Sequence, residues 1–292
     1  MESSTIATYK MLSGHTIPCI GLGTYLIGGR NATRVLDDAL SLGYRAFDTA
    51  TMYDNEECLG LIFEQLLPKH NLKRQNIFLT TKLYPSDHGT EATNAIKTSI
   101  KNLRCEYLDL YLIHWPGCYG VSSRSAENLR LRTASWAAMV KAKEEGLVRD
   151  IGVSNYTVTH LQQLLNDCQN IKPAINQVEW HPACHQKELK DFCDKEGIIL
   201  QAYMPLGGNK LLNNPVVCNV AEKLGKTTAQ VLLRWSLQQN IAVIPKASSR
   251  EHLKENLDVN FVIPPKEFNL MSGLQNIVSN RNYYNWRSKS KC

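Results

Sequence analysis

The stretch IFLTTKLYPSDHGTEATNAIKTSIKNLRCEYLDLYLIH (residues 77–114) decides the fold prediction, because it holds a complete strand–helix–strand unit. Residues 77–83 predict a strand, residues 91–103 predict a helix, and residues 108–114 predict a second strand that is almost wholly apolar. A strand of this kind is typical of a parallel sheet that is covered on both faces. Two strands that are joined through a helix pair in parallel, and their crossover is right-handed.

The same alternation extends in both directions from this stretch. Further strands are predicted at residues 17–22, 44–48, 150–154, 174–179, 198–203 and 241–245, and further helices at 32–42, 55–67, 134–145, 157–167, 186–196, 215–224, 228–239 and 250–257. Eight strand-then-helix units without a break in composition favour a single α/β domain over residues 1–292, folded as a (β/α)8 TIM barrel. Residues 8–18 predict an N-terminal hairpin that closes the bottom of the barrel, and a short C-terminal tail ends the chain.

An open, doubly wound sheet is the alternative that the same alternation allows. Its dinucleotide-binding turn needs the pattern G-x-G-x-x-G after the first strand. Gly21 and Gly23 fit that pattern, but Leu26 stands at the third glycine position. The closed barrel is therefore the favoured prediction.

Composition and charge exclude several classes of protein. The 33 basic and 27 acidic residues give a formal charge of +6 that is spread along the chain, so no nucleic-acid partner is expected. No apolar run reaches the ~20 residues that span a bilayer, and the N-terminus lacks a secretory pattern, so no membrane association is expected. The nine cysteines include no C-x-x-C pair, which predicts reduced thiols in the cytoplasm, no disulfide and no metal site. A monomer without an obligate protein partner is the default, because no heptad or interface stripe is present.

Ionisable side chains stand at the ends of three consecutive predicted strands. Asp48, Lys82 and His114 are separated by 34 and 32 residues, each close to one βαβ repeat of ~30 residues. Because active sites of such barrels lie at the carboxyl ends of the strands, we expect the three groups at one mouth. Tyr53 follows soon after Asp48, in the loop above that strand.

These four side chains suit the addition of a hydride to a carbonyl group. Lys82 stays charged beside Asp48, and a cation near the Tyr53 phenol is expected to lower the pKa of that phenol, which can then donate a proton. A neutral His114 can polarise a carbonyl oxygen. Taken singly, each residue also has an ordinary structural interpretation. Asp48 could be a cap, Lys82 a solvated charge, His114 a core imidazole and Tyr53 a half-buried aromatic ring.

The chain resembles the aldo-keto reductase family in a series of strings that follow one another in order over roughly residues 9–260. The strings are GLGTY (21–25), AFDTATMYDNEECLG (46–60), TTKLYP (80–85), LDLYLIHWPG (108–117), GLVRDIGVSN (146–155), INQVEWHP (175–182), AYMPLG (202–207) and IPKASSREHLKENL (244–257). The resemblance implies a cytosolic barrel that reduces aldehydes and ketones with NADPH. It also implies a catalytic tetrad of Tyr53, Asp48, Lys82 and His114, in which Tyr53 supplies the proton.

Two other functions remain open at this point. A cofactor-binding barrel that regulates a protein partner with little turnover is the alternative, although an intact tetrad speaks against it. A metal-dependent hydrolase would need His and carboxylate pairs at several strand ends, such as H-x-H after the first strand, and the sequence has none there.

The same resemblance places the cofactor. The nicotinamide would lie by Gly23 and Thr24, with its carboxamide bound by Ser154, Asn155 and Gln177 and its ring stacked on Tyr203. The pyrophosphate would lie by Leu206 and Gly207. Lys246 and Ser249 would hold the adenosine phosphate, with His252, Glu255 and Asn256 nearby. His252 stands where the family usually has an arginine, and Arg250 either compensates or faces solvent. NADH is therefore expected to bind as well, but more weakly than NADPH.

The substrate pocket is the last site that the resemblance implies. Its candidate residues are Tyr25, Met52, Tyr84 and Trp115. Such a lining favours a small-molecule substrate with an apolar or aromatic carbonyl over free sugars. The C-terminal segment 280–292 carries three further aromatic residues, which either close over the substrate or pack against the barrel.

Overall fold

A computed structural model describes residues 6–168 and 170–276, and its centre is a sheet of eight parallel strands. In chain order the strands are β1 (Thr8–Lys10), β2 (Thr16–Pro18), β3 (Leu22–Gly23), β4 (Ala46–Asp48), β5 (Phe78–Leu83), β6 (Leu108–Ile113), β7 (Val148–Ser154), β8 (Ile175–Glu179), β9 (Ile199–Tyr203) and β10 (Ala242–Val243). The sheet contains β3 to β10, and each strand lies beside its neighbour in the sequence. Ile20 bridges Val243 in parallel, and the N–H of Gly21 donates to the Val243 carbonyl at 2.9 Å. These bonds join the two ends of the sheet, which confirms the predicted (β/α)8 barrel.

Helices connect the strands. They are α1 (Arg30–Leu42), α2 (Glu56–Lys69), α3 (Ala92–Asn102), α4 (Glu127–Glu144), α5 (Val158–Asn166), α6 (Lys187–Glu196), α7 (Gly208–Leu212), α8 (Pro215–Leu224), α9 (Thr228–Leu237), α10 (Arg250–Leu257) and α11 (Pro265–Ser272). Thr157, Asn214 and Thr227 cap α5, α8 and α9 with side-chain oxygens that accept backbone N–H groups. Within the residues that the structure describes, no helix combines the length and apolarity needed to cross a bilayer.

The hairpin of β1 and β2 packs at the amino-terminal end of the barrel strands. Thr8 pairs with Pro18 in antiparallel register. Met11 and Ile17 share an apolar cluster with Phe78, the first residue of β5. The hairpin therefore closes the bottom of the barrel, as the sequence predicts.

Inward-facing side chains change from apolar to polar toward the carboxyl ends of the strands. Phe78 and Leu110 belong to the inner apolar cluster. Because side chains alternate along a strand, Lys82 and His114, each four residues further on, point to the same interior. The interior is thus a packed core below and a polar mouth above.

The predicted start of α4 was wrong. The helix begins at Glu127 rather than at residue 134. Its first two turns, ENLRLRT, are mostly polar and show no clear apolar period, but Asn128 and Arg132 are buried there. Burial of hydrogen-bonding side chains, rather than of an apolar stripe, fixes this part of the helix.

Other differences from the predicted elements arise at short segments. The predicted strand 17–22 is divided between β2 and β3, the predicted strand 241–245 is reduced to β10, and α7 and α11 were not predicted. The five residues of α7, which follow Gly207 in a left-handed conformation with a φ of 59°, are too few to show a helical period. The aromatic segment 280–292 lies outside the described residues.

Candidate active site

Three strand ends place Asp48, Lys82 and His114 at one mouth of the barrel. Asp48 is the last residue of β4, Lys82 is the penultimate residue of β5, and His114 directly follows β6. In the sheet register Asp48 lies opposite Thr80, two residues before Lys82 on the same strand. All three side chains are buried. The structure therefore brings these predicted residues together.

Lys82 and Asp48 form a buried ion pair. Nζ of Lys82 donates to Oδ1 of Asp48 at 2.5 Å and to the carbonyl oxygen of Thr49 at 2.8 Å. Oδ2 of Asp48 accepts from Nε2 of Gln177 at 2.7 Å. Burial lowers the pKa of Lys82, but the charges and hydrogen bonds of Asp48 and Tyr53 together outweigh burial and raise it. The ammonium is therefore charged although it is fully buried.

Tyr53 ends the single 3₁₀ turn Thr51–Tyr53 that follows β4. Nζ of Lys82 lies 5.1 Å from the centroid of the Tyr53 ring, and the His114 ring lies 5.9 Å from it. Burial raises the pKa of Tyr53, the charge of Lys82 lowers it, and the charge of Asp48 raises it, so that the net direction is upward. The expected net lowering of this pKa was therefore wrong, because burial outweighs the nearby cation. The phenol keeps its proton at neutral pH.

His114 is a neutral imidazole at this mouth. Burial, followed by the charge of Lys82, holds the pKa of His114 well below its usual range. Its Nδ1 is buried and has no hydrogen-bond partner among the described residues. Its backbone carbonyl accepts from Nδ2 of Asn155 at 3.0 Å, which ties β6 to the end of β7. A neutral ring keeps one N–H that can bind a carbonyl oxygen.

The predicted carboxamide-binding residues are hydrogen-bonded to one another. Oγ of Ser154 donates to the Gln177 carbonyl at 2.8 Å, and Nδ2 of Asn155 donates to Oγ of Ser154 at 3.0 Å. The Tyr203 hydroxyl donates to Oδ1 of Asn155 at 2.8 Å. Nε2 of Gln177 also donates to Oε1 of Gln201 at 2.8 Å. Sequence analysis missed Gln201, although a polar residue at an inward position of the apolar strand β9 was a usable signal.

Gly23 and Thr24 lie where β3 meets the chain after β10. A Cβ at Gly23 would lie 2.9 Å from the carbonyl oxygen of Ile244, so glycine is required here by the approach of two backbone segments. Oγ1 of Thr24 donates to the Asp48 carbonyl at 2.9 Å, and Nδ2 of Asn55 donates to the Thr24 carbonyl at 3.0 Å. Asn55 was also missed. Its buried amide fixes the loop after β3 against the strand end that carries Asp48.

The predicted phosphate-binding residues are more exposed. Leu206 and Gly207 form the turn before α7. Lys246 is exposed, and its ammonium makes no ion pair or hydrogen bond with any residue that the structure describes. Oγ of Ser249 caps α10 by accepting from the backbone N–H of His252 at 3.2 Å, and the His252 side chain is exposed.

Arg250 does not face these residues as a free cation. Its Nη1 donates to Oδ1 of Asp38 at 2.8 Å and to Oγ of Ser41 at 2.7 Å, so Arg250 joins α10 to α1. Further along α10, Glu255 is half-buried and Asn256 is buried. Of the two roles left open for Arg250, the structure supports solvent exposure, because 55% of the side chain is exposed while its guanidinium pairs with Asp38.

The predicted substrate-pocket residues are Tyr25, Met52, Tyr84 and Trp115. Tyr25 and Met52 are 47% and 42% exposed. The Tyr25 ring lies 5.1 Å from the Tyr53 ring, and the Trp115 ring lies 6.4 Å from the His114 ring. Tyr84 directly follows β5 and is half-buried. Aromatic surface therefore borders the tetrad.

Two side chains of α4 hold the loop that follows His114, and sequence analysis missed both. Oδ1 of Asn128 accepts from the backbone N–H of Cys118 at 2.9 Å. Nη1 of Arg132 donates to the Pro116 carbonyl at 3.3 Å. The unexpected first turns of α4 thus fix the wall beside His114.

Comparison with known sequences gives an extended match. A sequence model of the aldo/keto reductase family matches residues 19–276. The chain is 40% identical over 261 residues to the glyoxal reductase of Bacillus subtilis, and the alignment covers 89% of each protein.

Comparison with solved structures gives a match of similar extent. An aldo/keto reductase from Brucella melitensis has a TM-score of 0.83 and 39% identity, with 92% of this chain and 100% of that chain covered. A second aldo-keto reductase, solved in complex with NADPH, has a TM-score of 0.85 and 27% identity, with 92% and 88% covered. The family match over residues 19–276 includes every strand of the barrel that carries the site.

Proposed function

The chain belongs to the aldo/keto reductase family, and from that premise we propose that it reduces an apolar aldehyde or ketone with Tyr53 as the proton donor. The family membership itself makes the protein an NADP-dependent oxidoreductase that acts on small-molecule carbonyl compounds. The identity of the proton donor and the class of substrate go further. They rest on the geometry of the mouth.

The observation that carries the proposal is the buried Lys82–Asp48 pair beside the Tyr53 ring. Tyr53 is protonated before the reaction, since burial keeps its pKa above the ordinary value. When the phenol gives up its proton, the adjacent ammonium stabilises the phenolate that forms, and this interaction is stronger in a buried site than in water. Asp48 keeps that ammonium charged and in place.

His114 supplies the second interaction with the substrate. Its neutral ring keeps an N–H that can bind the carbonyl oxygen, and the same oxygen would receive the proton of Tyr53. The two rings meet edge to face with their centroids 5.9 Å apart, so we expect one carbonyl oxygen to reach both the Tyr53 hydroxyl and the His114 N–H. His114 therefore orients and polarises the carbonyl group rather than supplying the proton.

The residues present fit NADPH, the cofactor of the family, which when bound supplies a hydride to the carbonyl carbon. Both N–H groups of the Gln177 amide are used by Asp48 and Gln201, but its side-chain oxygen has no partner among the described residues and can accept from a carboxamide. The Tyr203 ring, held through its hydroxyl, offers a face for stacking. Lys246 is exposed, and its ammonium, which pairs with none of the residues that the structure describes, is available to a phosphate group.

Discrimination between NADPH and NADH is expected to be moderate. His252 replaces a permanently charged guanidinium, and Arg250 is held by Asp38 and Ser41. Lys246 is then the main charge available to the 2′-phosphate of NADPH. NADH, which lacks that phosphate, would still bind through the residues of the mouth, but more weakly.

The aromatic border of the mouth supports an apolar carbonyl substrate. The Bacillus relative is named for glyoxal, a small and polar dicarbonyl. Here the Tyr25 and Trp115 rings adjoin the tetrad, and such surface stabilises larger apolar groups by removing them from water. We expect a higher kcat/KM for benzaldehyde-type substrates than for glyoxal or an open-chain sugar when NADPH oxidation is followed.

The substitution Tyr53→Phe tests the proton donor. It removes the hydroxyl and keeps the ring, so kcat should fall by about 10²–10⁴-fold while the dissociation constant for NADPH stays unchanged. Tyr107→Phe is the matched control, because the Tyr107 hydroxyl is buried with no hydrogen-bond partner among the described residues, and the residue precedes β6 at the opposite end of the barrel. This control should retain the wild-type rate.

Two results would contradict the proposal. Retention of more than about a tenth of the rate by Tyr53→Phe would assign the proton to another group. Tight binding of NADPH without turnover of any carbonyl by the wild-type protein would favour the regulatory cofactor-binding barrel instead. We place the protein in the cytoplasm as part of the same proposal, on the cysteine pattern of its sequence.

A further inference from the structure

Three side chains of the types that bind zinc meet beyond the end of β8. Glu179 is the last residue of that strand, and His181 and Cys184 follow it in a short turn. One possible ligand atom from each, a carboxylate oxygen, an imidazole nitrogen and a sulfur, lie within 4.8 Å of one another. Sequence analysis predicted no metal site, because it looked for paired cysteines, and this group needs only one.

Backbone hydrogen bonds hold the three possible metal ligands close together. The N–H of His181 donates to the Cys184 carbonyl at 3.0 Å, and the N–H of Cys184 donates back to the His181 carbonyl at 2.8 Å. Nε2 of His181 lies 3.0 Å from Oε1 of Glu179. A turn closed by two hydrogen bonds restricts the motion of its side chains, so the ligand atoms are close together before any ion binds.

The spacing and the chemistry of the donors fit a small, thiophilic cation. Ligand atoms around tetrahedral Zn²⁺ stand about 3.3–3.8 Å apart, so the observed separations of up to 4.8 Å need to contract by at most about 1.5 Å. A thiolate with an imidazole favours Zn²⁺ over Mg²⁺ or Ca²⁺, which prefer oxygen ligands. Three protein ligands leave a fourth position for water.

His181 supplies an independent indication of a ligand. The side chain is buried, with 6% of the residue exposed, and its Nδ1 has no hydrogen-bond partner among the described residues. Because buried polar groups are usually hydrogen-bonded, this nitrogen is one that a ligand could satisfy. Either ring nitrogen can serve as a metal ligand, and the Glu179 carboxylate, now hydrogen-bonded to Nε2, joins it at the ion.

We propose that Glu179, His181 and Cys184 bind a Zn²⁺-class divalent cation at the rim of the barrel. Glu179 lies opposite Tyr203 in the register of β8 and β9, so the bound cation ties the turn 181–184 to the strand pair beside Tyr203. On binding, the Cys184 thiol releases its proton to solvent, and the affinity therefore falls as the pH is lowered. The site uses none of the tetrad residues and does not depend on the proposed reaction.

Cobalt titration of the full-length, chelator-treated protein tests this site without an activity assay. Co²⁺ bound to a thiolate gives a sulfur-to-metal charge-transfer absorption, which should saturate at one equivalent per chain. Zn²⁺ should abolish the absorption at one further equivalent, and excess Mg²⁺ should leave it unchanged. Failure of the absorption to appear, or its loss to Mg²⁺, overturns the proposal.

Substitutions locate the ion. Cys184→Ser should remove the charge-transfer absorption and weaken Zn²⁺ binding, measured by calorimetry, by at least about tenfold, and His181→Gln should weaken it similarly. Cys218→Ser is the matched control, because Cys218 is an exposed cysteine of α8. Unchanged binding in Cys184→Ser, or loss of binding in Cys218→Ser, overturns the assignment. Cys184→Ala and circular dichroism show whether a loss of binding reflects misfolding, and a folded Cys184→Ala that binds Zn²⁺ normally also overturns it.

Discussion

The tetrad and the predicted phosphate-binding residues differ sharply in how the protein holds them. Lys82 is fully buried and has two hydrogen-bond acceptors, whereas Lys246 is exposed and pairs with no described residue. His114 is buried and neutral, whereas the His252 side chain lies at the surface of α10. The same two residue types thus occur in a rigid, dry setting and in a solvated one.

This difference explains where the chain departs from the family pattern. Acid–base chemistry depends on fixed dipoles and charges in a water-excluded site, so each buried group needs its partners. A solvated phosphate group needs mainly positive charge, which several residues can supply with adjustable geometry. The replacement His252 accordingly lies at the exposed end, while the tetrad is intact.

The largest effect is expected for Lys82→Met. The change removes the ammonium beside Tyr53, so kcat should fall by about 10²–10⁴-fold. It also leaves the buried Asp48 carboxylate without its cation, and loss of one partner of a buried pair reduces the free energy of unfolding by about 3–5 kcal/mol. Steady-state kinetics and urea unfolding measure the two effects. A modest loss of activity with an unchanged free energy of unfolding would show that buried Lys82 matters no more than exposed Lys246.

Acid should destabilise the buried part of the molecule. His88, in the loop after β5, is 6% exposed, and burial, the largest cause, together with the charge of Arg132 lowers its pKa to about 4. Its pKa in an unfolded chain is about 6.5, so the unfolded chain binds more protons between these two values. Stability that is complete above pH ~6.5 is therefore lost as the pH falls toward 4, by roughly 3 kcal/mol in total.

The variant His88→Met measures this contribution. Its free energy of unfolding should vary less between pH 7 and pH 4 than that of the wild type, because the methionine does not titrate. Urea denaturation at a series of pH values gives the two curves. Parallel curves would show that His88 does not bind fewer protons in the folded state.

The bounds of strands and helices were predictable where their buried side chains are apolar and follow a pattern within the element itself. The ends of β5 and β6 were predicted to within one residue, since strands covered on both faces read as uninterrupted apolar runs. The bounds of α8 and α10 were predicted without error. The start of α4 was not, because its buried side chains are polar and their partners lie in a distant loop.

The candidate site was predictable to the same extent and for related reasons. Strand ends and alternation put Asp48, Lys82 and His114 at one mouth without any knowledge of distances. The direction of the Tyr53 pKa was not predictable, since it depends on the depth of burial against the proximity of charges. The pairing of Arg250 with Asp38 joins residues 212 positions apart, and sequence spacing gives no access to it.

A smaller effect is expected for Lys246→Met, the counterpart of the substitution at Lys82. Loss of the exposed ammonium should raise the dissociation constant for NADPH by about tenfold, which corresponds to about 1.4 kcal/mol. The dissociation constant for NADH should stay unchanged, and so should kcat with saturating cofactor. Because the site is solvated, added salt should reduce the difference between the two proteins. Fluorescence titration of NADPH at low and high ionic strength measures this salt dependence. A large drop in kcat would mean that the tetrad and the phosphate-binding residues do not act independently.

The smallest effect is expected for His252→Arg. Position 252 is exposed in the first turn of α10, and the cap from Ser249 uses only the backbone N–H of that residue, so the longer side chain fits without repacking. A guanidinium binds a phosphate in a fork that a lysine cannot reproduce, and Arg250 cannot substitute while it is held by Asp38. The affinity for NADPH should therefore rise by about threefold, with a smaller gain in His252→Lys. The affinity for NADH should stay the same, because it has no 2′-phosphate for the new fork to bind. An equal gain in affinity for both cofactors would show that residue 252 does not contact the 2′-phosphate. The expected weak discrimination between NADPH and NADH would then need another cause.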